Sequence, residues 1–463
     1  MRNGEISYWM AARPETDQPR RAPLDHDETA DVCIVGAGFT GLWTAYLLHR
    51  HDPSLDIRVL ESERAGYGAS GRNDGWISPL LSANRRRLAA AAGRGAVIDF
   101  QRAMIEAVGE LLDVLRAEGI DAHQRRGGHL RVARTRAARA RQSAAVATGL
   151  DWGYHPDELL LLDRDETAAR IRVAGAVGGL YSPLTAHLDP GLLVTALGRL
   201  VERDGTTIHE GTPVASVGPH EARTSSGARL RARWVLVCAE GYAGRIRGMP
   251  RLRTVPVNSS IVITEPLSDE QWETIGWRAG ECFGDSAHVF TYAQRTEDGR
   301  IAIGGRGKPY RYASGIDRAG EVDQQTIRLL RGRLEEYFPA AGPLPVAHAW
   351  CGVIGVTRDW CAFVDLDEES GIGSAGGYAG HGVTSAFAAA HTLADRICGV
   401  DSRYVRLPWL GHRPPRWEPE PLRWLGITSM YALFGLADAR EERAGAERTS
   451  AIARLAAGIT GMD

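Results

Sequence analysis

Residues Asp31 to Gly41, DVCIVGAGFTG, together with an acid at Glu61, constrain this chain more tightly than any other stretch. Asp31-Val32-Cys33-Ile34-Val35 reads as a buried strand, and Gly36, Gly38 and Gly41 give G-x-G-x-x-G where a helix, Phe39 to Arg50, begins. Gly36 permits the tight turn, Gly38 lets a pyrophosphate approach the backbone, and Gly41 lets the helix lie close on the strand. The helix start, which includes Thr40, supplies free N–H groups and the positive end of the helix dipole. Ile57-Arg58-Val59-Leu60 reads as a second strand, and Glu61, 20 residues past Gly41, stands where an acid accepts ribose hydroxyls and disfavours a 2′-phosphate. Strand, glycines, helix, strand and acid in this register predict a dinucleotide site on an α/β fold.

Composition narrows the setting. The 463 residues suit two or three domain-sized units with a sizeable core. Lysine plus arginine number 55 against 57 acids, a formal charge of -2, which excludes bulk attraction to nucleic acid or anionic lipid. Local basic runs such as Arg85-Arg86-Arg87 read as a solvated helix face. The six cysteines, Cys33, Cys238, Cys282, Cys351, Cys361 and Cys398, show no C-x-x-C spacing and read as reduced thiols in apolar runs. The first residues lack a signal peptide's apolar core, and no apolar run reaches the ~18 residues of a membrane span. The expectation is a soluble, cytoplasmic protein with no metal cluster.

Along the chain, Ser7-Tyr8-Trp9 belongs to a polar arm whose aromatics pin it to the body. Gly66 to Trp76 (GYGASGRNDGW) is too glycine-rich for helix or strand, and reads either as a loop against a cofactor or as a surface turn. Residues 85–148 are alanine-rich and helical in period, interrupted by a strand Gly128-His129-Leu130-Arg131-Val132. Asp189-Pro190-Gly191 opens a capped helix, and Trp234 to Ala239 is a buried strand ending at Glu240-Gly241. Gly376 to Val383 opens a second glycine-rich helix, which suggests a second anion or ring-edge site on the same nucleotide fold. The expected architecture is α/β: a doubly wound, Rossmann-like nucleotide domain, discontinuous in sequence (30–82, 170–255 and 346–402), with an inserted α+β substrate domain (83–169 and 256–345). Residues 1–29 form the arm and 403–463 a C-terminal extension.

Several stretches now add a resemblance: Ser7-Tyr8-Trp9, VGAGFTGL with Glu61, Gly68-Ala69-Ser70-Gly71-Arg72-Asn73, and Thr264-Glu265-Pro266-Leu267. Asp298-Gly299-Arg300 with Gly304-Gly305-Arg306, Thr357-x-Asp359, Gly377 to Val383, and Arg423-Trp424-Leu425-Gly426 continue it to the tail. The chain resembles the FAD-dependent amine oxidoreductases of the D-amino-acid oxidase superfamily, which includes glycine and sarcosine oxidases, and within it the gamma-glutamylputrescine oxidase branch. The resemblance implies FAD extended along the nucleotide domain, its ring at the boundary to a β-sheet substrate domain. It also implies a hydride transfer that oxidises the C–N bond of a small primary or secondary amine (amino acid, polyamine derivative or aminophosphonate). Reoxidation is by oxygen or another electron acceptor.

Carried over residue by residue, Gly36, Gly38 and Gly41 would hold the pyrophosphate, with Thr40 in the same helix turn, and Glu61 the adenosine ribose. Ser70, Arg72 and Asn73 would lie along the pyrophosphate and the flavin edge. Val214 matches the strand residue whose backbone meets adenine, Gly241 lies at the end of the Trp234 strand, and Gly380, His381, Gly382 and Val383 match the loop along the pyrimidine side of the ring. His381 reads equally as a packed neutral histidine. Sarcosine oxidases tether the flavin through a cysteine before the T-x-D motif. Here Cys351 is displaced by one residue and Gly352 takes its place, which implies non-covalent FAD. Trp350 is a candidate pocket wall or an ordinary core tryptophan. Arg306 is the candidate for a substrate carboxylate or phosphonate and Arg358 the second, each set against a surface ion pair. The rival functions are a flavin monooxygenase, because Gly284-Asp285-Ser286-Ala287-His288 imitates a hydroxylase motif, and a flavoprotein electron carrier without a substrate.

Overall fold

The computed structural model describes residues 1–13, 20–250, 253–305, 309–316 and 319–453. Its first sheet has eight strands. The parallel centre runs Ile372–Gly376, Arg229–Val237, Glu28–Val35, Ile57–Leu60 and Thr207–His209 in spatial order. These strands are apolar on both faces because both are covered, as a parallel sheet requires. Val32, Ile34, Val59 and Leu236 face helices Phe39–His51, Pro190–Arg203 and Gly382–Cys398. Cys33, Val35, Leu60 and Val235 face Val217 and Ala222 of a hairpin formed by Val214–Gly218 and Glu221–Thr224. The helix opened by the glycine turn lies hard on its own strand: a Cβ at Gly41 would stand 2.0 Å from the Gly36 carbonyl oxygen. Only glycine permits that approach.

The second sheet has nine strands. In spatial order they are Arg2–Asn3, Val346–Thr357, Thr254–Thr264, Ile301–Gly304, Tyr292–Arg295, Cys282–Asp285, His129–Ala133, Gly178–Ser182 and Leu160–Leu162. One face packs Leu130, Phe283, Ile303 and Cys351 against Ile327, Leu330 and Leu334 of helix Gln324–Tyr337. On the other face Ile261, Ile263, Ala302 and Trp350 pack with Trp9 of the N-terminal arm.

The sequence placed three elements differently. Val346–Thr357 and Gly178–Ser182 fall in stretches read as nucleotide-domain text, yet both are strands of the nine-stranded sheet. Helix Arg94–Ala117, read as part of the substrate domain, buries Phe100, Met104 and Leu111 in one core with Trp43 and Phe387. An apolar run or stripe says that a face is buried, and not which neighbour buries it.

The arm is built in more firmly than surface packing. Arg2–Asn3 pairs with the strand Val346–Thr357. Ser7 caps the short helix Tyr8–Ala11 and donates to the Gly71 carbonyl. Trp9 donates its indole N–H to the Asn73 carbonyl at 2.8 Å and meets Trp350 edge to face at 6.0 Å. At the other end, helix Leu422–Ala444 is anchored by Asp438, which accepts from the backbone N–H groups of His288 and Val289. None of the six cysteines is in a disulfide, and no helix among the described residues is long and apolar enough to cross a membrane. Because Trp9 is only 2% exposed and holds the 69–75 loop, Trp9→Ala should destabilise the protein by about 3 kcal/mol, the scale of aromatic truncations in a core. A denaturant midpoint equal to that of the unaltered protein would show the arm to be ornamental.

Candidate functional site

At the glycine turn, Gly36 has φ +111, a conformation open to glycine, and its N–H donates to the Leu60 carbonyl. The Glu61 carboxylate closes the turn from the second strand, accepting the Ala37 N–H at 2.9 Å and the Glu63 N–H at 3.0 Å. Burial holds its pKa above the ordinary carboxylate range against those bonds. The segment after strand Thr207–His209 runs alongside, with Thr212 N–H on the Glu61 carbonyl at 2.8 Å, and leads directly to Val214. Glu61 and Val214 therefore belong to one corner of the fold. Ser70 accepts the Phe39 N–H at 2.8 Å, and a Cβ on Gly38 would come within 2.9 Å of that hydroxyl.

The second glycine-rich helix start stands beside the first, because Thr40 Oγ1 and the Tyr378 hydroxyl share a hydrogen bond of 3.1 Å. His381 is the N-cap of helix Gly382–Cys398, Gly380 has φ +102, and Val383 is buried. This loop rests on the strand Val346–Thr357 through the Ala379 N–H and the Gly355 carbonyl, 3.2 Å apart. Gly241 packs on the same strand, where a Cβ would meet Val353 Cγ1 at 3.0 Å and the Gly355 nitrogen at 3.2 Å. Between them lies Glu240, which sequence reasoning treated only as a strand end. It has φ 43, accepts the Tyr378 N–H at 2.9 Å, and is pushed by burial to a pKa of about 7. Burial likewise lowers His381 to about 4, so its imidazole is neutral at physiological pH.

The 66–76 loop joins the two halves. Arg72 donates to the carbonyls of Tyr67 at 2.8 Å and Cys351 at 3.1 Å, and its guanidinium lies 4.5 Å from the Tyr67 ring centroid. These contacts make Arg72 a brace between loop and strand. Asn73 donates to the Ala69 and Ser70 carbonyls at 3.0 and 2.7 Å and accepts the Gly75 N–H at 2.6 Å, fixing the turn that carries Ser70. Gly352 faces this loop, with the position of a Cβ 3.3 Å from Arg72 Cβ, whereas Cys351 lies in the core on the opposite side of the strand. The one-residue displacement read from the sequence thus turns the thiol away from the loop.

Facing the second helix start is the inner face of the nine-stranded sheet. His129 lies 4.7 Å from Trp76, ring to ring, and Tyr292 6.1 Å from Trp76, with the Tyr292 and Ser259 hydroxyls 2.7 Å apart. Burial holds His129 well below its usual pKa, and Arg131 and His381 add to the effect, which places all three within electrostatic reach. Asp74 is buried, with Trp76 as the one described side chain that acts on its carboxylate, and burial raises its pKa well above the usual range against that effect. His129, Arg131, Asp74 and Glu240 were all missed as site residues. The alternation in Gly128-His129-Leu130-Arg131-Val132 was the available signal: His129 and Arg131 share one face, Leu130 and Val132 the other.

Other candidates resolve differently. Trp350 is fully buried, packed against Trp9 and His348, and donates its indole N–H to the Arg72 carbonyl at 2.9 Å. It packs as a core tryptophan that holds the loop. Arg358 pairs with Glu418 at 2.9 Å, and Arg306 lies outside the described residues. The hydroxylase-like stretch is the end of strand Cys282–Asp285 and the turn after it, with Asp285 accepting the Tyr337 hydroxyl at 2.6 Å in the second sheet. Asp359, Cys361 and His412 come together, but His412 and Arg87 lie 3.0 and 3.4 Å from the same Asp359 oxygen, which already satisfies its charge.

The chain is similar to known proteins. The chain is 27% identical over 398 residues to the gamma-glutamylputrescine oxidoreductase of Escherichia coli (strain K12), covering 84% of this chain and 89% of that protein. It is also 27% identical over 381 residues to a probable oxidoreductase OrdL of Rhizobium meliloti (strain 1021), covering 81% and 84%. The crystal structure of glycine oxidase from Geobacillus kaustophilus superposes with a TM-score of 0.68 at 18% identity, over 84% of this chain and all of that one, which shows a shared fold. Residues 31–396 match the FAD dependent oxidoreductase family DAO, and the chain belongs to that family of FAD-binding oxidoreductases.

Proposed function

We propose that the protein oxidises the C–N bond of a small primary or secondary amine to an imine, which water hydrolyses to a carbonyl. The observation that carries this reading is the meeting of the second glycine-rich helix start, at His381, with the aromatic inner face of the nine-stranded sheet, at His129, Trp76 and Tyr292. The relative named for gamma-glutamylputrescine supports the same substrate type.

The residues fit FAD. Two helix starts lie side by side, and a side chain at Gly38 would occupy the space beside Ser70. The Thr384 hydroxyl in the first turn of the second helix is buried without a partner among the described residues. In this reading Gly36, Gly38, Gly41, Thr40 and Ser70 hold the pyrophosphate, Glu61 and Val214 the adenosine, and Gly241, Gly352 and Gly380 to Val383 border the ring, with Arg72 and Asn73 fixing the loop. Bound FAD would supply the hydride acceptor. The chain's own contribution is orientation and exclusion of water. Trp76, Tyr292 and His129 form an apolar wall, and the two neutral imidazoles place no positive charge against an incoming amine. Neither imidazole is a strong base, so the amine reacts after leaving its ammonium proton in water. With Cys351 turned into the core, the flavin is held without a covalent bond. Cysteines without disulfides fit a cytoplasmic setting.

Two measurements test the cofactor assignment. Gly38→Val should lose most of its FAD, read as flavin absorbance relative to protein, and a full complement would refute the phosphate assignment. Acid precipitation of the unaltered protein should leave its yellow colour in the supernatant.

The reaction itself is tested by mixing the oxidised holoenzyme anaerobically with amines, amino acids and aminophosphonates. Bleaching by an amine alone is expected. A flavin reduced only by NAD(P)H would indicate a monooxygenase, and one reduced only by a redox protein an electron carrier.

Glu240 adds a pH dependence. Its folded pKa of about 7 lies above the ordinary 4.5, so its stabilising contribution is full below pH 4.5 and is lost as pH rises to about 7. Glu240→Gln keeps an oxygen for the Tyr378 N–H and should flatten that limb, raising the melting temperature at pH 8 relative to the unaltered protein. An unchanged pH profile would mean that Glu240 does not titrate there.

A further inference from the structure

A cavity of about 350 Å³ lies between the N-terminal arm, the segment 187–192 and the end of strand Tyr292–Arg295. No residue assigned above to the flavin or to the aromatic wall lines it. That wall adjoins it: Trp76 pairs with His187 across a two-stranded ribbon, and Gln294 is two residues beyond Tyr292 on the same strand face. The cavity's polar lining is rich in acceptors. Asp189, Glu297 and Asp298 bring three carboxylates, against the guanidinium of Arg13, which lies 2.8 Å from Asp189. Arg125 and Arg300 pair with Glu297 and Asp298 from outside the lining. Gln294 is only 1% exposed, and its Oε1 has no hydrogen bond of normal length among the described residues. His187 is buried and near enough to act on Gln294, and burial, with Arg125 adding to it, lowers its pKa to about 4, so its ring brings no positive charge. Asp189 accepts the N–H groups of Gly191 and Leu192 at 2.8 and 2.9 Å, yet burial still raises its pKa. Arg13 and two N–H groups thus leave the desolvation of this carboxylate incompletely offset.

We propose that this cavity is a second ligand site, separate from the flavin, which takes a small organic cation, an alkylammonium or guanidinium, from solution. The site goes beyond the amine-oxidation reading and does not depend on it. Ammonium and guanidinium groups carry donors and no acceptor. The cavity offers their complement in the Asp189 and Glu297 carboxylates, the Gln294 amide oxygen and the neutral His187 ring. An anion would meet three carboxylates, and an apolar molecule would leave the buried amide oxygen unsatisfied. The volume is that of a small-molecule pocket. Tyr8 and Trp9 add aromatic surface of the kind that attracts cations, and Tyr8 already carries Arg300 over its ring at 5.1 Å. Arg13 shows the preference within the chain itself: the arm lays a guanidinium on Asp189, and an incoming cation competes with it for that carboxylate.

The test needs no turnover. The oxidised holoenzyme is titrated calorimetrically with tert-butylammonium, which has no hydrogen on the carbon bearing its nitrogen and so cannot be oxidised to an imine. Methylguanidinium is the second cation, and tert-butanol the neutral molecule of matching shape. At least one cation should bind, with tert-butanol about 10-fold weaker or more, and the better cation identifies the head group. Arg13→Ala removes the competing guanidinium and should tighten the cation several-fold. Asp189→Asn keeps a capping oxygen for the helix but removes the charge, and should weaken the cation about 10-fold or more. Gln294→Met removes the amide oxygen at similar volume and should weaken it several-fold. The opposite signs at Arg13 and Asp189, at unchanged flavin content, locate the cation in this cavity, because a cation held at the flavin would respond to neither. The proposal is overturned if neither cation binds the unaltered protein or Arg13→Ala, if tert-butanol binds equally well, or if all three substitutions leave cation affinity unmoved. Should Asp189→Asn fail to fold, Arg13→Ala and Gln294→Met decide it by their opposite signs.

Discussion

The site depends on backbone packed against backbone along residues 351–355. That strand belongs to the nine-stranded sheet, yet loops of the nucleotide-binding half close on it from three directions: Arg72 on the Cys351 carbonyl, Gly241 on Val353 to Gly355, and the Ala379 N–H on the Gly355 carbonyl. Side chains would keep these segments apart. A Cβ at Gly355 would stand 1.8 Å from the Glu240 carboxylate, and one at Gly352 only 3.3 Å from Arg72 Cβ. Close packing with no intervening side chain gives a rigid seam, because interiors at crystal-like density deform little. The helix start at His381 and the loop at Ser70 are both positioned from this seam.

Glu240 is the polar counterpart of that packing. A carboxyl in the bridge between three segments is costly to bury, and the Tyr378 N–H it accepts repays part of the penalty while fixing the loop before the second helix. Its positive φ is uncommon for a residue with a side chain and fits a position over-determined by its surroundings. The same logic covers the arm, where Ser7 and Trp9 satisfy the carbonyls of Gly71 and Asn73 in a loop with no regular structure of its own.

What could be read from the sequence was local. Gly36, Gly38, Gly41 and Glu61 lie within one strand–helix–strand unit, and the chemistry of each is set by neighbours close in the chain. The second helix start at Gly382 was legible for the same reason. Sheet membership was not: Val346–Thr357 is as apolar as a nucleotide-domain strand, and its pairing with Thr254–Thr264 is a long-range choice that no residue in it announces. Trp350 illustrates the limit from the other side, since a tryptophan beside a flavin strand suits a pocket or a core equally until its neighbours are known. Arg131 was half legible. Its alternation with Leu130 and Val132 put it on the other face, but an arginine there ordinarily meets water, and only the three-dimensional arrangement encloses it.

The enclosed charges near that face do not cancel. Asp74 could have neutralised Arg131, but burial pushes its carboxyl toward the protonated form, and the groups that act on it do not include the arginine. Tyr154 is held protonated, and His129 and His381 are held neutral. Arg131 stands beside these neutral groups, and Arg85, Arg102 and Glu158 also act on Tyr154, in surroundings where a charge interacts more strongly than in water. A chain selected for stability alone would replace such an arginine by a hydrophobic residue of similar volume, a change that is often neutral or favourable at buried charges. Conflicts of this kind between a local rule and the fold are expected where function requires them.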